Sequence, residues 1–240
     1  AKAVVAREVV RVVTPGTLTE DSLLEARAHN HLAAWAEIRG DGALAWADVS
    51  TGDVHVASAA RDGLGPLLAR VAPREVLLRE DAADDPGRAA IVEDAGAVVS
   101  PLGAASFDST AGETRLCRLY GVATLESFAS FARPEIAALG ALADYLELTQ
   151  KGRLPGLRPP RRERTGGVMA IDAATRRNLE ITRAMTGGRR DSLLGAVDRT
   201  RTGAGARLLE GRLAAPLTDT GEIEARLDAA AAFLEAPELR

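Results

Sequence analysis

The sequence predicts an α/β domain built on a mixed sheet flanked by helices, followed by an all-α segment. Two observations predict the first part: short β-patterned runs separated by turn signals over residues 29–57, and strand–helix alternation over residues 65–100. A third observation predicts the all-α segment. Strand alternation disappears beyond a Pro- and Arg-rich stretch at 151–165, and the pattern of the chain after it is helical. We therefore expect domains at 1–150 and 166–240, with 151–165 as a linker.

The first elements of the chain are predicted from β-branched residues and turn chemistry. Residues 8–14 are rich in Val and predict a strand. Pro15-Gly16 fits the two central positions of a type II turn. Thr17 and Glu20 have the spacing of a capping box, which predicts a short helix over residues 17–28.

Alternating apolar residues predict the sheet, and Gly-containing turns separate its strands. The turns are expected at Gly40-Asp41-Gly42 and Ser50-Thr51-Gly52. The expected strands are 29–38, 43–49, 53–57, 75–79 and 97–100, and the expected helices are 65–71, 86–95 and the region 124–148.

Composition excludes several classes of protein. The chain has 240 residues, 46% hydrophobic and 27% charged, as a globular protein does, and its net charge of −4 argues against a free-standing nucleic-acid binder. Its single cysteine, Cys117, permits neither an intrachain disulfide nor a Cys-rich metal site. No signal peptide and no run of about 18 apolar residues is present, so no membrane span and a cytoplasmic location are expected. Both ends of the sequence indicate a piece cut from a longer protein.

The residues that could carry catalysis are few. A two-metal nuclease needs a cluster of carboxylates, but the middle of the first predicted sheet strand, residues 32–35, contains none. Asp48 is expected to bond the turn that follows it. His29 and His31 would share a strand face, yet no third ligand is obvious, so surface imidazoles are favoured over a metal pair. No P-loop pattern G-x-x-x-x-G-K-[ST] occurs.

Residues 170–186 form the most informative stretch. Asp172 can cap a helix that would run from residue 173 to residue 185, and Gly187-Gly188 would end it. The helix would be unusually polar for an ordinary surface helix, because Asn and Thr are mediocre helix formers. Its polar residues on one face would be Thr175, Asn178 and Thr182, and those on the neighbouring surface Arg176, Arg177, Glu180 and Arg183.

These motifs resemble one family along nearly the whole chain. The sequence DAATRRNLEIT at 172–182 is similar to the opening of the core (lever) domain of the MutS family, which recognises DNA mismatches. REVVRVVTPGTLTEDSLL at 7–24 and WADVSTGDVHV at 46–56 resemble the connector domain of that family. Residues 192–234 resemble its run of core helices.

The resemblance implies a ribonuclease-H-like connector domain followed by the start of a core domain. It implies a parent protein that binds mismatched double-stranded DNA as a homodimer, hydrolyses ATP with Mg²⁺ and recruits MutL. The ATPase would lie outside this chain, for which no enzymatic activity, cofactor or metal is expected. In the parent, contacts with other segments or structural roles would fall to Asp172, Arg176, Arg177, Asn178, Glu180 and Arg207.

Two other functions stay open at this point. A MutS paralogue outside mismatch repair would share the same segments and lack the mismatch-reading part. A ribonuclease-H-like nuclease would share the sheet, but the missing carboxylate in the first strand argues against it.

Overall fold

A computed structural model of the chain describes residues 9–19, 23–151, 156–163 and 166–236. The chain divides into two compact units, one on each side of the bond between Arg162 and Glu163. The described part of the first unit contains a mixed sheet with helices, and that of the second contains helices and turns.

The sheet of the first unit has the order β5-β4-β1-β2-β3-β6. Strands β1, β2 and β3 are antiparallel neighbours, β4 runs parallel to β1, β5 runs parallel to β4, and β6 runs parallel to β3. The strands are β1 (His31–Ile38), β2 (Asp41–Asp48), β3 (Asp53–Ala60), β4 (Glu75–Arg79), β5 (Val98–Leu102) and β6 (Arg161–Arg162).

Helices cover both faces of this sheet, and alternate residues of β1 show why. Leu32 and Ala34 pack into one apolar cluster with the long helix α5, while Ala33 and Trp35 pack into a second cluster with α1. Both clusters are dominated by Leu, Val and Ala, so β1 is apolar on both faces. The helices of this unit are α1 (Leu64–Val71), α2 (Glu80–Ala83), α3 (Pro86–Asp94), α4 (Ser109–Tyr120) and α5 (Arg133–Thr149).

The first hairpin turns one residue earlier than the sequence suggests. Asp41 pairs with Ile38, and the turn consists of Arg39 and Gly40, with φ of 56° and 92°. Two consecutive positive φ angles are those of a type I′ turn, whose twist matches that of the strands. Gly42 is needed inside β2, because a Cβ there would lie 2.4 Å from the ring of Trp35.

The segment before the sheet differs from its predicted form. Residues 9–14 form no strand; the Val12 amide instead donates to the carbonyl of Thr149 at the end of α5 (2.8 Å). The Pro15-Gly16 turn closes with a 3.0 Å bond from the amide of Thr17 to the carbonyl of Thr14, but the φ of Gly16 is not positive, so the turn is not type II. Residues 23–28 form turns rather than a helix, and the predicted capping partner Glu20 lies outside the described residues.

Helix α4 has no counterpart in the sequence expectations. Asp108 caps it by accepting the amide of Ala111 (2.7 Å), and the helix then packs against α5. The two helices approach closely where glycines meet: a Cβ on Gly140 would lie 2.6 Å from the Cα of Gly112. Close backbone approach, which only glycine permits, therefore fixes this helix pair.

The stretch 151–165, expected as a linker without regular structure, is partly built into the first unit. Arg161 and Arg162 form β6 beside β3, and Arg158 binds Asp53 through a 2.8 Å ion pair. The guanidinium of Arg162 donates to the fully buried carboxylate of Glu135 (2.8 Å). A buried carboxylate needs such partners, and this requirement overrides the turn-forming composition of the stretch.

The second unit is helical, as predicted, although turns interrupt it more than the sequence suggests. Each helix begins after a side chain that accepts an amide of its first turn: Asp172, Ser192, Thr202 and Asp219. The helices are α6 (Ala173–Asn178), α7 (Leu193–Val197), α8 (Gly203–Ala214) and α9 (Thr220–Glu235). Across the described residues of both units, no helix combines the length and the apolarity that crossing a membrane requires.

Candidate functional site

The predicted cap of the polar helix is present. Asp172 accepts hydrogen bonds from the amide (2.9 Å) and the hydroxyl (2.6 Å) of Thr175. These two bonds lower the pKa of the Asp172 carboxyl below its ordinary value. Asp172 is therefore a structural residue that starts α6, as the sequence indicates.

The length of this helix was predicted wrongly. It ends at Asn178 instead of continuing to residue 185, and Glu180 adopts a left-handed backbone conformation with φ 47°. The carbonyls of Glu180 and Ile181 accept the amides of Leu193 and Leu194 (both 2.9 Å). A tertiary backbone pairing thus replaces helical bonds in a segment whose Asn and Thr have weak helix propensity.

Because α6 ends at Asn178, its polar residues do not lie where the sequence predicts. Arg176 is buried, whereas Arg177 and Asn178 are exposed. Thr182 lies beyond the helix, so the expected polar face of Thr175, Asn178 and Thr182 does not form. The carboxylate of Glu180 accepts the amide of Met185 (2.6 Å), which holds the turn that follows.

Helix α8 carries the last predicted site residue, Arg207, which is half-buried. The sequence missed a different arginine that holds the same helix. Arg189 forms ion pairs with Asp198 (2.8 Å) and with Glu210 on α8 (3.1 Å). No local pattern signals this contact, because its partners lie 9 and 21 residues further along the chain.

A nuclease centre is not formed by the described residues of the first unit. The middle of β1 is apolar and fully buried at Leu32–Ala34. Asp48 bonds its turn as expected, since its Oδ1 accepts both the amide (3.0 Å) and the hydroxyl (2.6 Å) of Ser50. Two-metal chemistry needs several carboxylates around one space, an arrangement not found in the described part of the chain.

The structure does bring a third group to the two histidines. Asp48 lies opposite His31 in the β1–β2 register, and its Oδ2 lies 3.0 Å from Nδ1 of His29. One candidate ligand atom from each of the three side chains lies within 4.8 Å of the other two. The sequence signal was the alternation that places His31 at the start of one strand and Asp48 at the end of the next.

A cavity of about 600 Å³ lies at the ends of β1 and β4, lined by charged side chains. Arg61 and Arg88 both bind Glu37 and Arg79 binds Asp81, so three of its four arginines already have internal partners. Its charged lining residues are Glu37, Arg39, Arg61, Arg79, Asp81, Asp85 and Arg88. The lining is mixed in charge rather than basic, which does not favour nucleic acid there.

Comparison with known proteins places both units in one family. The model of MutS domain II matches residues 30–158, and that of MutS domain III matches residues 174–240. Proteins named DNA mismatch repair protein MutS are similar over the chain: that of Cereibacter sphaeroides is 59% identical over the whole chain, that of Paracoccus denitrificans 56% over the whole chain, and that of Ruegeria pomeroyi 56% over 95% of it.

The chain spans about a quarter of these relatives, between 26% and 27% of their length. The two family models match in the same order as the two compact units of the structure. On this evidence the chain belongs to the MutS family of DNA mismatch repair proteins.

Proposed function

We propose that this chain couples the nucleotide state of a longer MutS-family protein to its grip on mismatched double-stranded DNA. The observation that carries the proposal is the collinear match of MutS domains II and III to the two units. The name shared by the relatives supports a role in mismatch repair. Coupling of this kind requires the chain to make different contacts in two states of the parent.

We assign residues 1–162 to the connector domain and 163–240 to the start of the core domain. The strand order of the first unit supports a ribonuclease-H-like arrangement: three antiparallel strands are followed by β4 beside β1 and by β5 beside β4. The described stretch 156–162 goes with the first unit, because β6 pairs with its sheet.

The remaining functions belong to parts of the parent outside this chain. ATP and Mg²⁺ would bind an ATPase domain, since the sequence here has no P-loop pattern. The parent would act as a homodimer in the cytoplasm, bind the mismatch and recruit MutL. The net charge of −4 supports a coupling segment more than a DNA-gripping one.

Helix α6 supplies the contacts to other segments in this proposal. Arg177 and Asn178 are exposed in the chain, so they are free to meet another part of the parent. Asp172 and Glu180 shape the helix and the turn after it, while Arg176 is buried and Arg207 half-buried.

The test uses the full-length parent that carries Arg177→Ala together with Asn178→Ala. We expect unchanged thermal stability of the 240-residue chain, because both side chains are exposed, and altered ATP-dependent release of a G·T heteroduplex by the parent. Arg201→Ala is the matched control, since Arg201 is an exposed arginine of the same unit. Release that is unchanged in the double variant contradicts the coupling role of α6. A parent that does not prefer the G·T heteroduplex over a homoduplex contradicts mismatch recognition and favours a paralogue outside repair.

A further inference from the structure

Two histidines and an aspartate meet where the first hairpin of the sheet begins and ends. His31 is the first residue of β1, and His29 lies two residues before it. Asp48 is the last residue of β2 and lies directly opposite His31. One nitrogen or carboxylate oxygen from each side chain lies within 4.8 Å of the others. This grouping depends on strand pairing rather than on sequence proximity.

Hydrogen bonds fix the orientation of Asp48 and His31, as they commonly do for metal ligands in proteins. Asp48 directs Oδ1 to the amide and hydroxyl of Ser50, which leaves Oδ2 facing His29. His31 directs Nδ1 to the carbonyl of Val71 (3.0 Å). A carbonyl only accepts, so Nδ1 of His31 carries the proton and Nε2 keeps its lone pair. Carbonyl and carboxylate partners of this kind fix the tautomer of metal-binding histidines.

We propose that His29, His31 and Asp48 bind a divalent transition-metal ion of the zinc class. Two imidazoles and one carboxylate suit Zn²⁺ and similar ions, whereas Mg²⁺ and Ca²⁺ prefer sites made of oxygen ligands. Three protein ligands leave room for a water or for a group from another segment of the parent.

Binding requires a limited rearrangement. The rings of His29 and His31 stack with centroids 4.6 Å apart and planes inclined by 15°. In parallel stacked rings the lone pairs do not converge, so one ring must turn. His31 is held by Val71, whereas the side chain of His29 is 29% exposed. His29 can give up its bond to Asp48 and bind the ion through Nδ1 once the ring proton has moved from Nδ1 to Nε2. The exposed side of His29 also gives the ion its path to the site.

The experiment titrates Zn²⁺ into chelator-treated 240-residue chain and follows the heat of binding. We expect one equivalent of Zn²⁺ to bind and to raise the melting temperature. His31→Ala and Asp48→Asn should each weaken Zn²⁺ binding by about tenfold or more. His29→Ala should weaken Zn²⁺ binding by the same factor and keep the fold, because the side chain of His29 is partly exposed. His55→Ala is the matched control, because His55 is the third histidine of the chain and stacks on Trp46 instead.

Cobalt provides a second readout that reports the ligands directly. Co²⁺ should give a visible absorption spectrum with wild type and His55→Ala and lose it with His29→Ala, which keeps the test valid if a variant of a buried residue fails to fold. Mg²⁺ should not compete. The proposal is overturned if wild type binds no stoichiometric Zn²⁺, or if His29→Ala binds as tightly as His55→Ala.

Discussion

The hydroxyl of Tyr145 donates a 2.6 Å hydrogen bond to Oε1 of Glu75, which joins α5 to β4 through a carboxylate with no exposed surface. Oε1 also accepts the hydroxyl of Ser100 (2.6 Å), and Oε2 accepts the hydroxyl of Thr14 (2.6 Å) and the amide of Gly16 (2.9 Å). Four donors thus compensate one buried charge. The same carboxylate holds the segment before the sheet, two strands and the longest helix of the unit.

Tyr145→Phe should destabilise the chain by about 1.5–3 kcal/mol, because it removes one donor from a buried charged acceptor. Tyr120→Phe is the control: its hydroxyl donates to the neutral carbonyl of Arg158 (3.0 Å), so its loss should cost about 0.5–1.5 kcal/mol. Urea unfolding measures both. Equal losses for the two variants would mean that the charge of Glu75 adds nothing to the bond.

Alkaline pH should unfold the chain through its two tyrosines. Burial raises the pKa of Tyr120 from 10 to about 12, and burial together with the bond to Glu75 raises that of Tyr145. The unfolded chain releases these protons near pH 10 while the folded chain still holds them. Stability should therefore be full below about pH 10 and fall as the pH rises toward 12.

Tyrosinate absorbance and urea unfolding, recorded over the same pH series, check this expectation. Tyr120→Phe should flatten the fall in stability between pH 10 and 12, because it removes the group whose pKa rises to about 12. Tyrosinate that forms near pH 10 in the folded chain would show that neither tyrosine is shielded.

Gly140→Ala should disrupt the packing of α4 on α5. The added Cβ would lie 2.6 Å from the Cα of Gly112, a backbone atom that cannot move without shifting the helix. We expect a loss of about 1–3 kcal/mol in the free energy of unfolding. Gly65→Ala is the control in the same unit, because the nearest atom to its Cβ is a side-chain carbon of Ile91 at 3.7 Å. If both alanines are tolerated equally, the helices have room to separate.

Asp172→Ala and Asn178→Ala should differ sharply in the second unit. Asp172 accepts two bonds from Thr175 and caps α6, so its loss should lower the melting temperature measurably. Asn178 is exposed, so its loss should change stability by less than about 0.5 kcal/mol. Thermal unfolding of the 240-residue chain measures both, and a large effect of Asn178→Ala alone would show a contact that the exposed position does not explain.

Glu135→Ala should release the edge strand β6. The carboxylate of Glu135 accepts Arg162 (2.8 Å), Ser58 (2.7 Å) and the amide of Ala132 (2.7 Å), and it has no exposed surface. Without it, trypsin should cut after Arg162 several times faster than in wild type, as limited proteolysis with mass spectrometry would show. Arg158→Ala, which removes an exposed ion pair to Asp53, is the milder control. Unchanged cleavage after Arg162 would mean that strand pairing alone holds β6.

The sequence by itself determined the local elements whose causes are local. Alternation in residues 29–57 predicted three antiparallel strands, although the third extends to Ala60 in the structure. β4 was predicted with its observed bounds, and Asp172 was predicted as a helix cap. The family could also be identified from the sequence, because motifs such as DAATRRNLEIT are contiguous. Apolar period and capping chemistry act over a few residues, so a single sequence displays them.

Only the tertiary structure decided what depends on distant partners. Helix α6 stopped at Asn178 because residues 180–181 pair with 193–194, and β6 formed in a Pro-rich stretch because Glu135 needed a cation. The grouping of His29 and His31 with Asp48 likewise required the β1–β2 register. The physical reason is common to all three: backbone groups and charges removed from water must find partners, and those partners are chosen by the fold rather than by neighbours in sequence.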